Sequence, residues 1–109
     1  TKELGRIDWT QDARTIANLV RGVNPWPGAY TAVDGGALKI WLAKPAGAET
    51  DQKPGTVIRA SAKEGLFVAC GNGTALEIVE MQAPNAKRMN AKTYLSGRKI
   101  EIGTRFGEE

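Results

Sequence analysis

The chain has 109 residues, 41% hydrophobic and 25% charged, with a formal net charge of +3. At roughly 100–200 residues per domain this predicts one globular domain. It contains no His and one Cys, which excludes a Ser-His-Asp triad, a Cys-His pair, a His-based or Cys-based metal centre and a disulfide framework. No run approaches the roughly 18–20 apolar residues of a membrane span, and no signal-peptide pattern opens the sequence, so no membrane association is expected.

Asp8 and Thr10 are both suited to cap a helix, and Gln11 stands three places after Asp8. Ala13, Ile16, Ala17, Leu19, Val20 and Val23 then follow helical spacing, while Arg14, Asn18 and Arg21 form the opposite stripe. Gly22 and Pro25 end the helix. A core accounts for the apolar stripe, which leaves Arg14 and Arg21 to face solvent or phosphate. In Asn24-Pro25-Trp26-Pro27-Gly28-Ala29-Tyr30, two prolines fix φ on either side of a Trp. That stiff loop is expected to aim Trp26 into one end of the core as a plug, with ligand contact the alternative.

Strands come next. Residues 30–33 lead through Asp34-Gly35-Gly36, a hairpin signal, into residues 37–44. In the second strand Leu38, Ile40 and Leu42 are expected on one face, with Lys39 and Trp41 together on the other. Residues 45–53 form a small polar loop, the segment expected to be most mobile. Three more strands are predicted at 55–60, 66–70 and 74–81, separated by Lys63-Glu64-Gly65 and Gly71-Asn72-Gly73. A short helix over 89–95, capped by Asn90 and stopped by Gly97, precedes a last strand over 98–106 with Gly103 at a turn or bulge. The fold class is therefore mainly β with a minor α part. It is a small OB-like open barrel of five to six strands, with an N-terminal helix and one short helix near the C-terminal end.

Few residues suit catalysis. Gly71-Asn72-Gly73 lacks the Lys-Ser/Thr of a phosphate loop and is a plain turn. Cys70 ends an apolar strand and behaves as a buried small hydrophobe. Glu77 and Glu80 are expected on opposite strand faces, which argues against a paired acid–base site. Charge is more telling. Residues 1–86 carry nine basic and nine acidic side chains, whereas the last 23 residues carry six basic and three acidic, and with them the whole net charge. Such clustering attracts polyanions.

Several runs resemble the C-terminal domain of the methionyl-tRNA formyltransferase family. They are Ile7-Asp8-Trp9-Thr10, Val20-Arg21-Gly22-Val23-Asn24-Pro25-Trp26-Pro27-Gly28-Ala29-Tyr30, Leu38-Lys39-Ile40-Trp41, Pro54-Gly55-Thr56-Val57, Val68-Ala69-Cys70-Gly71-Asn72-Gly73 and Lys87-Arg88-Met89-Asn90-Ala91. The resemblance implies an enzyme that moves a formyl group from 10-formyltetrahydrofolate to the methionine amino group of initiator tRNA. Its N-terminal Rossmann-like domain would hold the folate and the catalytic Asn, His and Asp, and its OB-like C-terminal domain would help hold the tRNA. Residues 1–109 would then be that second domain alone, opening where the interdomain linker ends. It would be a cytoplasmic monomer that binds and does not catalyse. It is expected to use no cofactor and no metal of its own, with initiator tRNA and the N-terminal catalytic domain as partners. RNA contact is expected at Arg21, Lys39, Lys87, Arg88 and Arg98, and secondarily at Lys44, Lys63, Lys92 and Lys99. Lys87 and Arg88 rest on motif and local charge together, and the others on charge and exposed-face geometry. Two alternatives stand beside this. One is the equivalent domain of a sugar or carrier-protein formyltransferase. The other is a structural domain that only packs on a catalytic partner, with Trp9 and Trp26 marking the interface.

Overall fold

The computed structural model describes residues 2–108. Its first helix, α1, spans Ala13–Val23, as the apolar spacing predicts, but neither Asp8 nor Thr10 caps it. The Asp8 carboxylate is already engaged by the backbone N–H of Thr10 (3.0 Å) and its hydroxyl (2.6 Å), and the Asp8 carbonyl accepts from Gln11 N (3.1 Å). That turn uses up Asp8, and the helix starts four residues later. Asp12 is the cap, its Oδ1 accepting from Thr15 N at 2.9 Å. Thr74 Oγ1 takes the N–H of Ala13, another donor that lacks a helical partner.

The strands β1 (Ala29–Val33), β2 (Gly36–Pro45), β3 (Val57–Ser61), β4 (Gly65–Ala69), β5 (Ala75–Gln82) and β6 (Met89–Asn90) form one antiparallel sheet in the order β1-β2-β5-β4-β3. β6 pairs with β5 at Glu80 and Met81, beyond the end of β4. The predicted hairpin at Asp34-Gly35 is present, with Val33 opposite Gly36. α2 spans Ala91–Gly97, and Asn90 caps it by accepting from Lys92 N at 2.9 Å. The core lies between α1 and the concave face of the sheet, where Ile16, Val20, Ile40, Leu66, Val68, Leu76, Ile78 and Met81 are fully buried.

Three further expectations are corrected. The register of β2 on β5 shifts on both sides of Leu42. A shift of one residue turns a side chain to the other face, so Leu42 leaves the row of Leu38 and Ile40 and is 48% exposed. Residues 98–106 form no strand, because a turn at 101–104 interrupts them, Thr104 N–H donating to Glu101 O and Gly103 standing at φ +96°. Their hydrogen bonds instead reach both margins of the sheet. Gly103 N donates to Val57 O, Val57 N to Thr104 O and Phe106 N to Gly55 O, while Gly107 N donates to Ala32 O on β1. The sheet is not closed by a ladder, and this segment spans the gap between its edge strands in an open OB-like fold.

The third correction concerns the tryptophans. Trp26 does not plug the core but stands 81% exposed, whereas Trp9 is 5% exposed and takes the interior position. Trp9 Nε1 donates to the buried Thr31 Oγ1 at 2.9 Å, and its ring lies 6.2 Å from that of Phe106. Trp9 therefore cannot mark an exposed interface, and only Trp26 of the two is placed to do so.

Candidate nucleic-acid interface

On the outer face of β2, Lys39 and Trp41 stand together as alternation predicts. Lys39 pairs in register with Gln82 of β5. Trp41 Nε1 donates to Gln82 Oε1 at 3.1 Å, and Gln82 Nε2 donates in turn to Ala86 O at 3.0 Å. One glutamine thus ties the indole to the loop that carries Lys87 and Arg88. Arg88 reaches back from that loop across β5, placing its guanidinium 4.5 Å from the centroid of Trp41, while Lys39 Nζ lies 5.4 Å from it. Two cations on one indole are attracted by its ring quadrupole and offset some of their mutual repulsion.

Glu80 Oε1 holds Arg88 in place, accepting from Nε at 2.9 Å and lying 2.7 Å from Nη2. Lys44 is paired at 3.7 Å with Glu77, its direct register partner on β5. Each of these two carboxylates is thus occupied by a cation of its own. Lys39 and Lys87 are exposed and form no ion pair among the described residues. Trp41 therefore stands between one uncommitted cation, Lys39, and one held by a carboxylate, Arg88, with the exposed Lys87 preceding Arg88 in the loop.

The remaining sequence-predicted cations stand apart. Arg21 is exposed on α1 and donates to Asn18 Oδ1. Arg98 follows α2 and lines a cleft of about 730 Å³ with Asp34, Asn85 and Tyr94. Lys63 lies in the β3–β4 turn, Lys92 is exposed on α2, and Lys99 pairs with Glu101 at 3.5 Å. Sequence reasoning missed Gln82 and the link from Glu80 to Arg88. It also missed a second cation–aromatic pair, Arg59 over Phe67 at 5.5 Å. Arg59 and Phe67 are opposite each other across the β3–β4 hairpin, so counting register from that turn would have found them.

Cys70 is buried, its thiol donating to Val68 O at 3.5 Å, and burial pushes its pKa up to about 12. It is no nucleophile. No group of three or more metal-ligating side chains occurs among the described residues. No helix of the described chain is long and apolar enough to cross a membrane.

Comparison with known proteins agrees with this fold. The family described as formyl transferase, C-terminal domain, matches residues 1–99. A methionyl-tRNA formyltransferase of Lysinibacillus sphaericus is 46% identical over 108 residues, covering 97% of this chain and 34% of that protein. One of Bacillus velezensis is 42% identical over 107 residues, covering 98% of this chain and 33% of its own. The chain thus spans about a third of the length of the curated relatives it matches. Among solved structures, a variant of HypX from Aquifex aeolicus superposes with a TM-score of 0.67 at 22% identity, over 95% of this chain and 22% of that one. HypX in complex with tetrahydrofolic acid gives 0.65 at 24% identity, over 95% and 21%. At these identities the likeness shows the fold alone.

Proposed function

We propose that this chain, which belongs to the formyl transferase C-terminal domain family, is the tRNA-holding domain of a methionyl-tRNA formyltransferase acting in the cytoplasm. Formyl transfer from 10-formyltetrahydrofolate to initiator methionyl-tRNA would be carried out by the N-terminal part of the enzyme, with this domain binding and not catalysing. The observation that supports this reading is the gathering of Lys39 and Arg88 around Trp41 on the outer sheet face, with the exposed Lys87 next to Arg88 in the chain. Cations on a rigid sheet and on a loop tied to it suit phosphate neutralisation, which releases counterions and orients the RNA without reading its sequence. Holding the tRNA body in this way keeps its acceptor end near the reacting groups, so that entropy is lost at binding and not at the chemical step.

The test is the binding of this chain to initiator tRNA across a range of salt concentrations, with heparin as a non-specific polyanion. Affinity should fall linearly with salt on a double-logarithmic plot, and tRNA should outcompete heparin at equal charge. Replacing Lys87→Ala and Arg88→Ala together should weaken binding and lower the slope by about 1 for each phosphate that is no longer neutralised. An unchanged slope and affinity in the double variant would remove the support for this surface.

A further inference from the structure

Exposed large hydrophobic side chains are unevenly placed. Among the described residues they are Leu4 (60% exposed), Trp26, Leu42 and Ile102 (68%), and the first three stand on segments bound to one another. Gly5 lies so close to the Trp26 loop that a Cβ on it would sit 1.8 Å from Gly28 O. Ile7 N donates to Tyr30 O at 2.9 Å, drawing the segment after Leu4 alongside the same loop. At the other end of the loop, Asn24 Nδ2 donates to Val20 O (2.7 Å) and Ile40 O (3.1 Å), beside the register shift that exposes Leu42. Gly28 N closes the loop on Val23 O at 2.9 Å. Trp26 is thus held outward on a stiff frame, flanked by Pro25 and Pro27. No charged residue occurs between Arg21 and Asp34.

We propose that Leu4, Trp26 and Leu42 form the surface on which this domain docks against the rest of its own polypeptide, the transferase part that the proposed function places before it. The inference rests on that function. Relatives about three times as long, in a family that is by its description a C-terminal domain, place the remaining chain on the Leu4 side. A partner tethered there works at an effective concentration of the order of millimolar, so a modest interface suffices. An outward Trp in a run that carries no charge from residue 22 to residue 33 suits an apolar face of folded protein, with the Trp as anchor. It does not suit a polyanion. Leu42 lies opposite Glu80, which holds Arg88, so a partner docked at this edge borders the outer face of Lys39 and Trp41.

The experiment joins the first two-thirds of the Lysinibacillus sphaericus relative to this chain and compares the chimera with the 109-residue chain by hydroxyl-radical footprinting and mass spectrometry. Oxidation of Trp26 should fall fivefold or more in the chimera, with Leu4 and Leu42 falling too and Ile102 unchanged. In a Trp26→Ser chimera the protection of Leu4 should disappear. Equal Trp26 reactivity in both proteins, with Trp9 unreactive as a sign of folding, overturns the proposal. If the chimera does not fold, the same footprint is taken on this chain mixed at millimolar concentration with the separately prepared first two-thirds, and unchanged Trp26 reactivity overturns it there. The two proposals fail separately. Shielded Trp26 together with tRNA binding indifferent to Lys87→Ala and Arg88→Ala sinks the RNA reading alone, and accessible Trp26 with salt-dependent tRNA binding sinks the docking alone.

Discussion

Glu80 decides how much of the Arg88 charge a ligand meets, because it accepts from two nitrogens of the guanidinium. An exposed pair of this kind is worth about 0–1 kcal/mol, little enough for a phosphate to exchange with the carboxylate. Glu80→Gln should therefore leave thermal stability within a degree or two and raise tRNA affinity roughly two- to fivefold, read from the same salt titration. Weaker binding in this variant would mean that Glu80 positions Arg88 and does not compete for it. At Cys70 the raised pKa has a definite sign. The unfolded thiol titrates near 9.0 and the folded one near 12, so stability is unaffected below pH 9 and declines as pH rises from there. Thiol reagents at pH 8 should label Cys70 only at the rate of unfolding. Rapid labelling of the folded chain would show the site to be open. Thr31 offers a third measurement. Thr31→Val strands the Trp9 indole N–H in the interior and should cost about 1–3 kcal/mol in urea denaturation.

Among the elements, α1 and the β1–β2 hairpin were legible because local rules decide them: helical spacing of apolar residues in one case, a two-residue glycine turn in the other. Where the outcome depended on residues far apart in the chain, local rules were silent. Trp26 stands between two prolines and Trp9 between Asp8 and Thr10, and only the seat opposite Thr31 and Phe106 determines which goes inside. Leu42 obeyed alternation until a register shift with a distant strand turned it outward. Residues 98–106 have the composition of a strand, yet the turn at 101–104 limits them to one isolated antiparallel bridge, Arg105 with Thr56. Cations could be counted in the sequence, but that Lys39 and Arg88 share one indole depends on Gln82 and the path of the 83–88 loop. A sharper demand comes from the turn between β4 and β5. A Cβ at Gly71 would lie 1.8 Å from the backbone oxygen of Thr10, and Gly71 N donates to Gln11 O at 2.8 Å. Gly71→Ala must push the approach to α1 away from the sheet, and the expected result is loss of the cooperative thermal transition, checked by calorimetry.

At the scale of the whole molecule, charge dominates one region and an aromatic anchor another. Lys39 and Arg88 gather outside β2 and β5, while the exposed Trp26 projects from the loop after α1, and Leu42, opposite Glu80, lies where the two regions meet. A domain divided in this way can hold one partner by screened electrostatics and another by apolar burial, with different responses to salt. One further consequence follows from the segment that spans the sheet margins. Residues 103–107 lie later in the chain than every strand they join, so a ribosome has already released both edges before the bonds to Gly55, Val57 and Ala32 can form. Until then β3 lacks its bonds to residues 103–106 and β1 has beside it only the segment at Arg6 and Ile7, so part of each edge is a template for pairing with another chain. The interval between emergence of β5 and emergence of Gly107 is thus the period in which this domain is most exposed to misassembly, and a pause in translation there would lengthen it.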